Sequence, residues 1–288
     1  MRAIYKKEFK SYFNSMMGYV FVAFLLVAVS IYFSGYNLGM GYPLLGITLS
    51  SVTFLFLILV PVLTMRSLSE EQKNKTDQLL YTSPVSVGEI VFGKYLALVS
   101  VFAIPMVVIC FYPIIMDAYG TIDFGMAYVA IFGFFLLGCA YISVGLFISS
   151  ITESQIIAAV ISFSVLLFSY LMSGIAGFFS DTAITSLLAF TVLLLVFCLI
   201  YYIMAKNIIA SCGVFVIGEV ILVVLYFVKK TWFEGAIAKV LGTFDLTAAS
   251  TNMIQNGILD ITDIVFYLSI IGLFLFFTVQ SIQKKRWS

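Results

Sequence analysis

The sequence has no histidine and little charge. Lysine and arginine number 15 and aspartate and glutamate 14, so only 10% of the 288 residues are charged. A soluble domain carries about 25% charge and about 45–50% apolar residues. Here the apolar share is 62%, so a solvated surface of ordinary size is excluded. The missing histidine removes Ser-His-Asp chemistry and histidine metal sites together. Cysteine is scarce as well. Cys110, Cys139, Cys198 and Cys212 form no CxxC pair and each lies in an apolar run. They read as small buried apolar residues, not as a zinc site or a disulfide framework. A net charge of +1 gives no signature of nucleic-acid binding. No A-x-A-type site follows the first apolar run, so that run reads as a retained span and not a cleaved signal.

Long apolar runs fill the chain instead. About 20 such residues cross a bilayer core as a helix. Eight stretches qualify, at roughly 18–36, 45–65, 94–115, 125–149, 155–178, 185–204, 208–228 and 263–282. A lone strand would leave its backbone groups unpaired in lipid, and none of the runs alternates as barrel strands do. The expected fold is therefore all-α, a polytopic membrane protein of about eight transmembrane helices. Were 185–228 one re-entrant hairpin, six spans would remain and the ends would keep their sides.

The basic residues orient the chain. With the N-terminus inside, the cytoplasmic side receives Arg2, Lys6, Lys7, Lys10, Arg66, Lys73, Lys75, Lys94, Lys206, Lys284, Lys285 and Arg286, which is 12 of the 15. Lys229, Lys230 and Lys239 fall outside, among Asp117, Asp123, Asp181, Glu234, Asp245, Asp260 and Asp263. This bias predicts that both termini are cytoplasmic.

Two segments outside the spans carry pattern. In 1–17, Tyr5, Phe9, Tyr12, Phe13 and Met16 recur at helical spacing, with Lys6, Lys7, Lys10 and Asn14 on the other face. This predicts an amphipathic helix in the cytoplasmic interface. The loop 66–93 reads RSLSEEQKNKTDQLLYTSPVSVGEIVFG. It joins charges to an apolar cluster, Leu79, Leu80 and Tyr81, as a docking segment would; a helix packed back on the membrane surface is the alternative. Residues 88–95, GEIVFGKY, come close to a phosphate-binding loop, but Tyr95 stands where Ser or Thr would reach magnesium. No ATP site is expected in this chain.

Four stretches carry a resemblance. They are MRAIYKKEFKSYFNSMMGYVF, LVPVLTMRSLSEEQKNKTDQLLYTSPVSVGEIVFGKYLA, SVGLFISSITESQIIAAVISF and GILDITDIVFYLSIIGLFLFFTVQSIQKKRW. They closely resemble the ABC-2 type permease family, and within it the gliding-motility-associated subgroup, over 1–178 and about 244–287. The most specific pieces are PVLTMR at 61–66, EE at 70–71, TSPVSVGEIVFGK at 82–94 and the closing KKRW. The resemblance implies a permease subunit of an ATP-driven exporter. Two permease chains, identical or merely similar, would form the pathway on two ATPase subunits, which hold the ATP and magnesium. No cofactor, metal or catalytic residue is implied in this chain, and no nucleic-acid partner. The loop after span 2 would carry the coupling helix, with Glu70, Glu71, Thr76, Leu79, Leu80, Thr82 and Pro84 as the ATPase-coupling candidates. The N-terminal helix resembles the family's connecting helix. Where the family pattern usually holds Gly before the Thr and Glu two residues after it, this chain has Lys75 and Gln78.

A six-helix core is the family's habit, so 185–230 reads as an inserted helix pair. The outer segment 231–262 is too broken by Gly, Asn and Asp to span, and Trp232 and Phe233 suit the interfacial belt. By resemblance, about 240–258 would form short re-entrant helices closing the outer exit; an ordinary surface loop is the alternative. Glu219 is the one carboxylate in the middle of a span. At about 2.5–3.5 kcal/mol for an acidic residue at a helix centre, it should avoid lipid. It is a possible intramembrane polar site, either a protonated packing residue or a proton or cation contact. Gly35 and Gly39 form a small-xxx-small pair able to admit a neighbouring helix. The rival functions are a secondary transporter using Glu219 and a non-transport membrane enzyme or scaffold.

Overall fold

The computed structural model describes residues 1–76 and 85–287, and every regular element among them is helical. Eight helices are long and apolar enough to cross a membrane. They are span 1 (Met17–Gly39), span 2 (Leu45–Lys73), span 3 (Val87–Asp117), span 4 (Phe124–Ile151), span 5 (Gln155–Ala176), span 6 (Ala183–Ile203), span 7 (Ser211–Val228) and span 8 (Ile261–Lys285). All eight predicted runs appear, and 185–228 forms two separate helices. The chain divides into two compact units: Met1–Leu167 with Ala249–Ser288, and Phe168–Ala248.

The first unit is built around span 4, most of which is buried. Phe56, Phe102, Phe134 and Tyr141 meet there with almost no exposure. Phe56 stands 4.5 Å from Phe134 and 5.5 Å from Phe102 between ring centroids. Such aromatic pairs add about 0.5–1.5 kcal/mol each beyond area burial. Spans 2 and 3 carry Pro61 and Pro105 inside their helices. Each proline removes a backbone donor and bends the rod. Span 1 finishes in a π-helix, Phe33–Gly39.

Among the described residues the predicted pair Gly35 and Gly39 admits no neighbouring helix: Gly35 has nothing close to it, and Gly39 meets only its own helix at Ser34. Close approach occurs elsewhere. A helix over Leu246–Gln255 buries Met253 and Ile254 completely or nearly so. A Cβ on Gly46 would stand 1.8 Å from the Ile254 carbonyl oxygen, and one on Gly133 would stand 2.8 Å from Met253 Cβ. Only glycine lets spans 2 and 4 take that helix end so closely.

The second unit holds the end of span 5, the antiparallel pair of spans 6 and 7, and a helix over Ala236–Phe244. Spans 6 and 7 turn at Lys206, which adopts a left-handed φ of +49°. Ser211 Oγ, on span 7, donates to the Cys198 carbonyl of span 6 at 2.7 Å. Asp245, between the helices over Ala236–Phe244 and Leu246–Gln255, is buried and accepts from the Thr247 N–H at 2.7 Å and from Ser173 Oγ. Trp232 is exposed beneath Lys229, as an interfacial residue would be, but Phe233 is buried between Phe190 and Tyr226. Cys139 and Cys198 are buried and Cys110 half-buried, while Cys212 lies exposed on span 7, unlike its expected core place.

Candidate functional site

The N-terminal helix, Arg2–Asn14, packs on the start of span 3. Gly93 makes room for it: a Cβ there would stand 3.3 Å from Ile4 Cγ2, tighter than ordinary contact. Its buried face is Glu8 and Tyr12, while Met16 falls outside the helix with φ +60° and is largely exposed. The helix therefore lies on protein through a polar face as well as an aromatic one. Tyr12 donates its hydroxyl to the Leu63 carbonyl at 3.2 Å. The usual partner of that carbonyl, the Ser67 N–H, bonds Thr64 instead, so Tyr12 satisfies an orphan acceptor at a helix end. Burial first, and the charge of Glu8 second, raise the Tyr12 phenol above its ordinary range, so it remains a donor.

Lys94 lies beneath this helix with a side chain 0% exposed. Its Nζ stands 2.9 Å from Glu8 Oε1, 2.9 Å from Glu71 Oε2 and 2.8 Å from the Ser67 carbonyl. Those are three acceptors for the three donors of an ammonium. The N-terminal helix, the end of span 2 and the start of span 3 thus meet at one nitrogen. Lys7 adds an outer cation 3.5 Å from Glu71.

The short helix Ser69–Lys73 is held from other sides too. Ser149 Oγ, near the end of span 4, accepts from the Leu68 and Ser69 N–H groups at 3.2 and 3.1 Å. Gln72 Nε2 donates to the Ser150 carbonyl at 2.9 Å. Lys285, near the end of span 8, donates to Gln72 Oε1 and to the same Ser150 carbonyl, both at 2.9 Å. The root of the 66–93 loop is therefore tied to spans 3, 4 and 8 and to the N-terminal helix.

The predicted coupling residues divide. Glu70 pairs with Arg66 and lines a cleft of about 230 Å³ with Lys7, Ser11, Tyr12 and Thr76. Glu71 points inward to Lys94 and is mostly covered. Thr76 is exposed, and its N–H bonds the Glu71 carbonyl at 3.0 Å. Leu79, Leu80, Thr82 and Pro84 lie outside the described residues. Lys75 has φ +54°, the left-handed region that favours glycine. That accounts for glycine being usual there in the pattern this loop resembles.

Glu219 sits in the second unit, half-buried on span 7, and its Oε2 is buried with no hydrogen-bond partner among the described residues. Sequence reasoning singled it out and passed over Lys94 and Glu8. Two signals pointed to them. Glu8 is the only acidic residue in an otherwise basic segment, and Lys94 follows an apolar run seven residues into a helix whose start Ser86 caps through the Glu89 N–H.

The sequence profile described as ABC-2 family transporter protein matches residues 2–281. The chain belongs to the ABC-2 family of transporter proteins. As an ABC-2 permease it is a multi-pass membrane component of transport, and its family implies partnership with an ATPase. The match is broader than the motif stretches and encloses spans 6 and 7. No curated protein matches the chain.

Proposed function

We propose that this ABC-2 permease is the membrane subunit of an ATP-driven exporter in the gliding-motility-associated subgroup. It lies in a bacterial-type plasma membrane with both termini cytoplasmic, the sidedness that 12 of 15 basic residues favour. It pairs with a second permease chain, a copy or a similar one, and two separate ATPase subunits carry the ATP and magnesium. The loop after span 2 docks on an ATPase through 76–84. One observation carries this reading. The root of the loop is fastened to the N-terminal helix and to spans 3, 4 and 8 by buried polar contacts. A push delivered beyond Thr76 would reach those elements together instead of being lost in a slack tether. The pair of spans 6 and 7 is an addition to a six-helix core, and 240–258 closes the outer exit. That last role is supported by the tight seat of Met253 and Ile254 on Gly46 and Gly133.

The test is docking itself. Leu79→Asp with Leu80→Asp would place charge in an apolar groove, where an unpaired charge costs several kcal/mol. The tagged permease should then lose its co-purifying ATPase while still inserting and folding. Unchanged co-purification would overturn docking through this loop. A second reading, a secondary transporter, draws on one observation, the unpartnered buried oxygen of Glu219.

A further inference from the structure

We propose that Glu71 acts inward and not on the ATPase, and that Lys94 and Glu8 are positioning residues which relay displacement of the loop to the N-terminal helix. This deepens the proposed function and rests on it.

Glu71 Oε2 is committed to Lys94 at 2.9 Å, and Lys7 approaches its other oxygen, Oε1, at 3.5 Å. A carboxylate already held by two cations has little left to offer a docking protein. Both Glu70 and Glu71 line the cleft. Glu70 is the more exposed, at 31% against 14%, and its ion pair is with Arg66 on its own stretch of chain, so it is the carboxylate better placed to meet a partner. The junction is also a buried path from the loop to the N-terminal helix, whereas the direct Lys7–Glu71 contact is longer, at 3.5 Å, and Lys7 is largely exposed. Glu71 and Ser67 stand on the loop side, Glu8 on the helix side, and Lys94 bonds all three.

Electrostatics make this contact stiff. At zero exposure, water does not replace a lost partner, so pulling Glu71 away leaves charge buried and unmatched. Movement of Ser69–Lys73 must then drag Lys94, or Lys94 must drag Glu8. An apolar contact would slide more readily, because dispersion is not directional. The ion cluster therefore converts displacement of the loop into displacement of a helix that shares no covalent link with it nearby.

The experiment uses the full permease with its ATPase. An environment-sensitive fluorophore is attached to a cysteine at Asn74, at the loop root, or at Lys10, on the exposed face of the helix. The four native cysteines are replaced first. ATP with vanadate is then added. In the otherwise native protein both reporters should respond. The neutral triple variant, Lys94→Met with Glu8→Gln and Glu71→Gln, leaves no charge buried alone and so should fold. In it the ATPase should still co-purify and the Asn74 reporter should still respond, while the Lys10 reporter loses most of its response. Glu71→Gln alone should retain the ATPase. An undiminished Lys10 response in the triple variant would overturn the relay. Loss of the ATPase from a folded Glu71→Gln protein would overturn the inward role. Failure of the native permease to capture an ATPase would instead remove the reading beneath both.

Discussion

Lys94 and Glu219 are both ionisable residues inside long apolar helices, and their surroundings are opposite. Lys94 has three acceptors drawn from two other segments and no exposure. Glu219 is half-buried, with one oxygen enclosed and no partner for it among the described residues. The regions around them differ in the same way. In the first unit, spans 2 and 4 approach a neighbouring helix so closely that a Cβ on Gly46 would meet its backbone and one on Gly133 its side chains. In the second, span 7 is exposed along nearly its whole length. A buried charge becomes mechanical only when the chain surrounds it with partners. Depth in an apolar run does not by itself make an ionisable residue a working part.

Removing Lys94 should have the largest effect. Lys94→Met strands Glu8 and Glu71 without their shared cation, and breaking a buried pair in this way costs about 3–5 kcal/mol. The purified variant should unfold at a much lower temperature in detergent, or fail to yield a monodisperse peak. The neutral triple variant should recover most of that loss, since replacing all the members of a buried cluster is often near neutral. A Lys94→Met protein as stable as the parent would mean the cluster bears no load.

Glycine substitutions compare how tightly the two units are packed. Gly46→Ala puts a Cβ 1.8 Å from the backbone oxygen of Ile254. Backbone must shift, and overpacking of this kind costs about 1–3 kcal/mol. Gly218→Ala meets the tip of Leu194 at 2.7 Å, a side chain that can turn away. Alanine is also the better helix former by about 1 kcal/mol. Thermal unfolding should therefore show Gly46→Ala clearly destabilised and Gly218→Ala unchanged or slightly improved. Equal losses would erase the contrast between the units.

Much of this architecture was legible in the sequence, because apolar run length is a direct physical requirement of the bilayer. All eight spans follow from it. The N-terminal helix was legible only in part. Aromatic spacing drew attention to Tyr5, Phe9, Tyr12, Phe13 and Met16; of these Tyr12 is buried, but it shares the buried face with Glu8, which the spacing did not mark. A salt bridge joining residues 8, 71 and 94 has no local pattern, since each partner alone reads as an ordinary surface or topology charge. The close seat of Ile254 on Gly46 is equally silent, as 20 glycines offer many candidates and Gly35 and Gly39 carried the familiar spacing. The Gly-to-Lys departure at 75 was visible in sequence, but its meaning needed the backbone angle.

That angle gives a smaller effect. A left-handed residue other than glycine is disfavoured by roughly 1–2 kcal/mol, and glycine returns part of this through its freer unfolded chain. Lys75→Gly should raise stability by up to about 1 kcal/mol, seen as a modest upward shift in melting temperature with ATPase capture intact. A downward shift would argue that Lys75 does not hold φ +54° in the membrane-embedded protein.

The smallest effect is expected at Glu219. Helix–helix hydrogen bonds in membranes average about 0.6 kcal/mol, and Oε2 makes none with the described residues. Glu219→Leu should therefore leave the melting temperature unchanged or slightly raised, because it removes an enclosed polar oxygen and adds apolar surface. Glu219→Gln keeps the size and a carbonyl, and its amide can donate as a protonated carboxyl would. If the residue only packs, the Gln variant should match the parent in permease-stimulated ATP hydrolysis at every pH at which the parent is active. A folded, ATPase-bound Gln variant that loses both stimulation and its pH dependence would reverse the contrast with Lys94. The enclosed oxygen would then be a proton or cation site whose partner arrives only during the transport cycle.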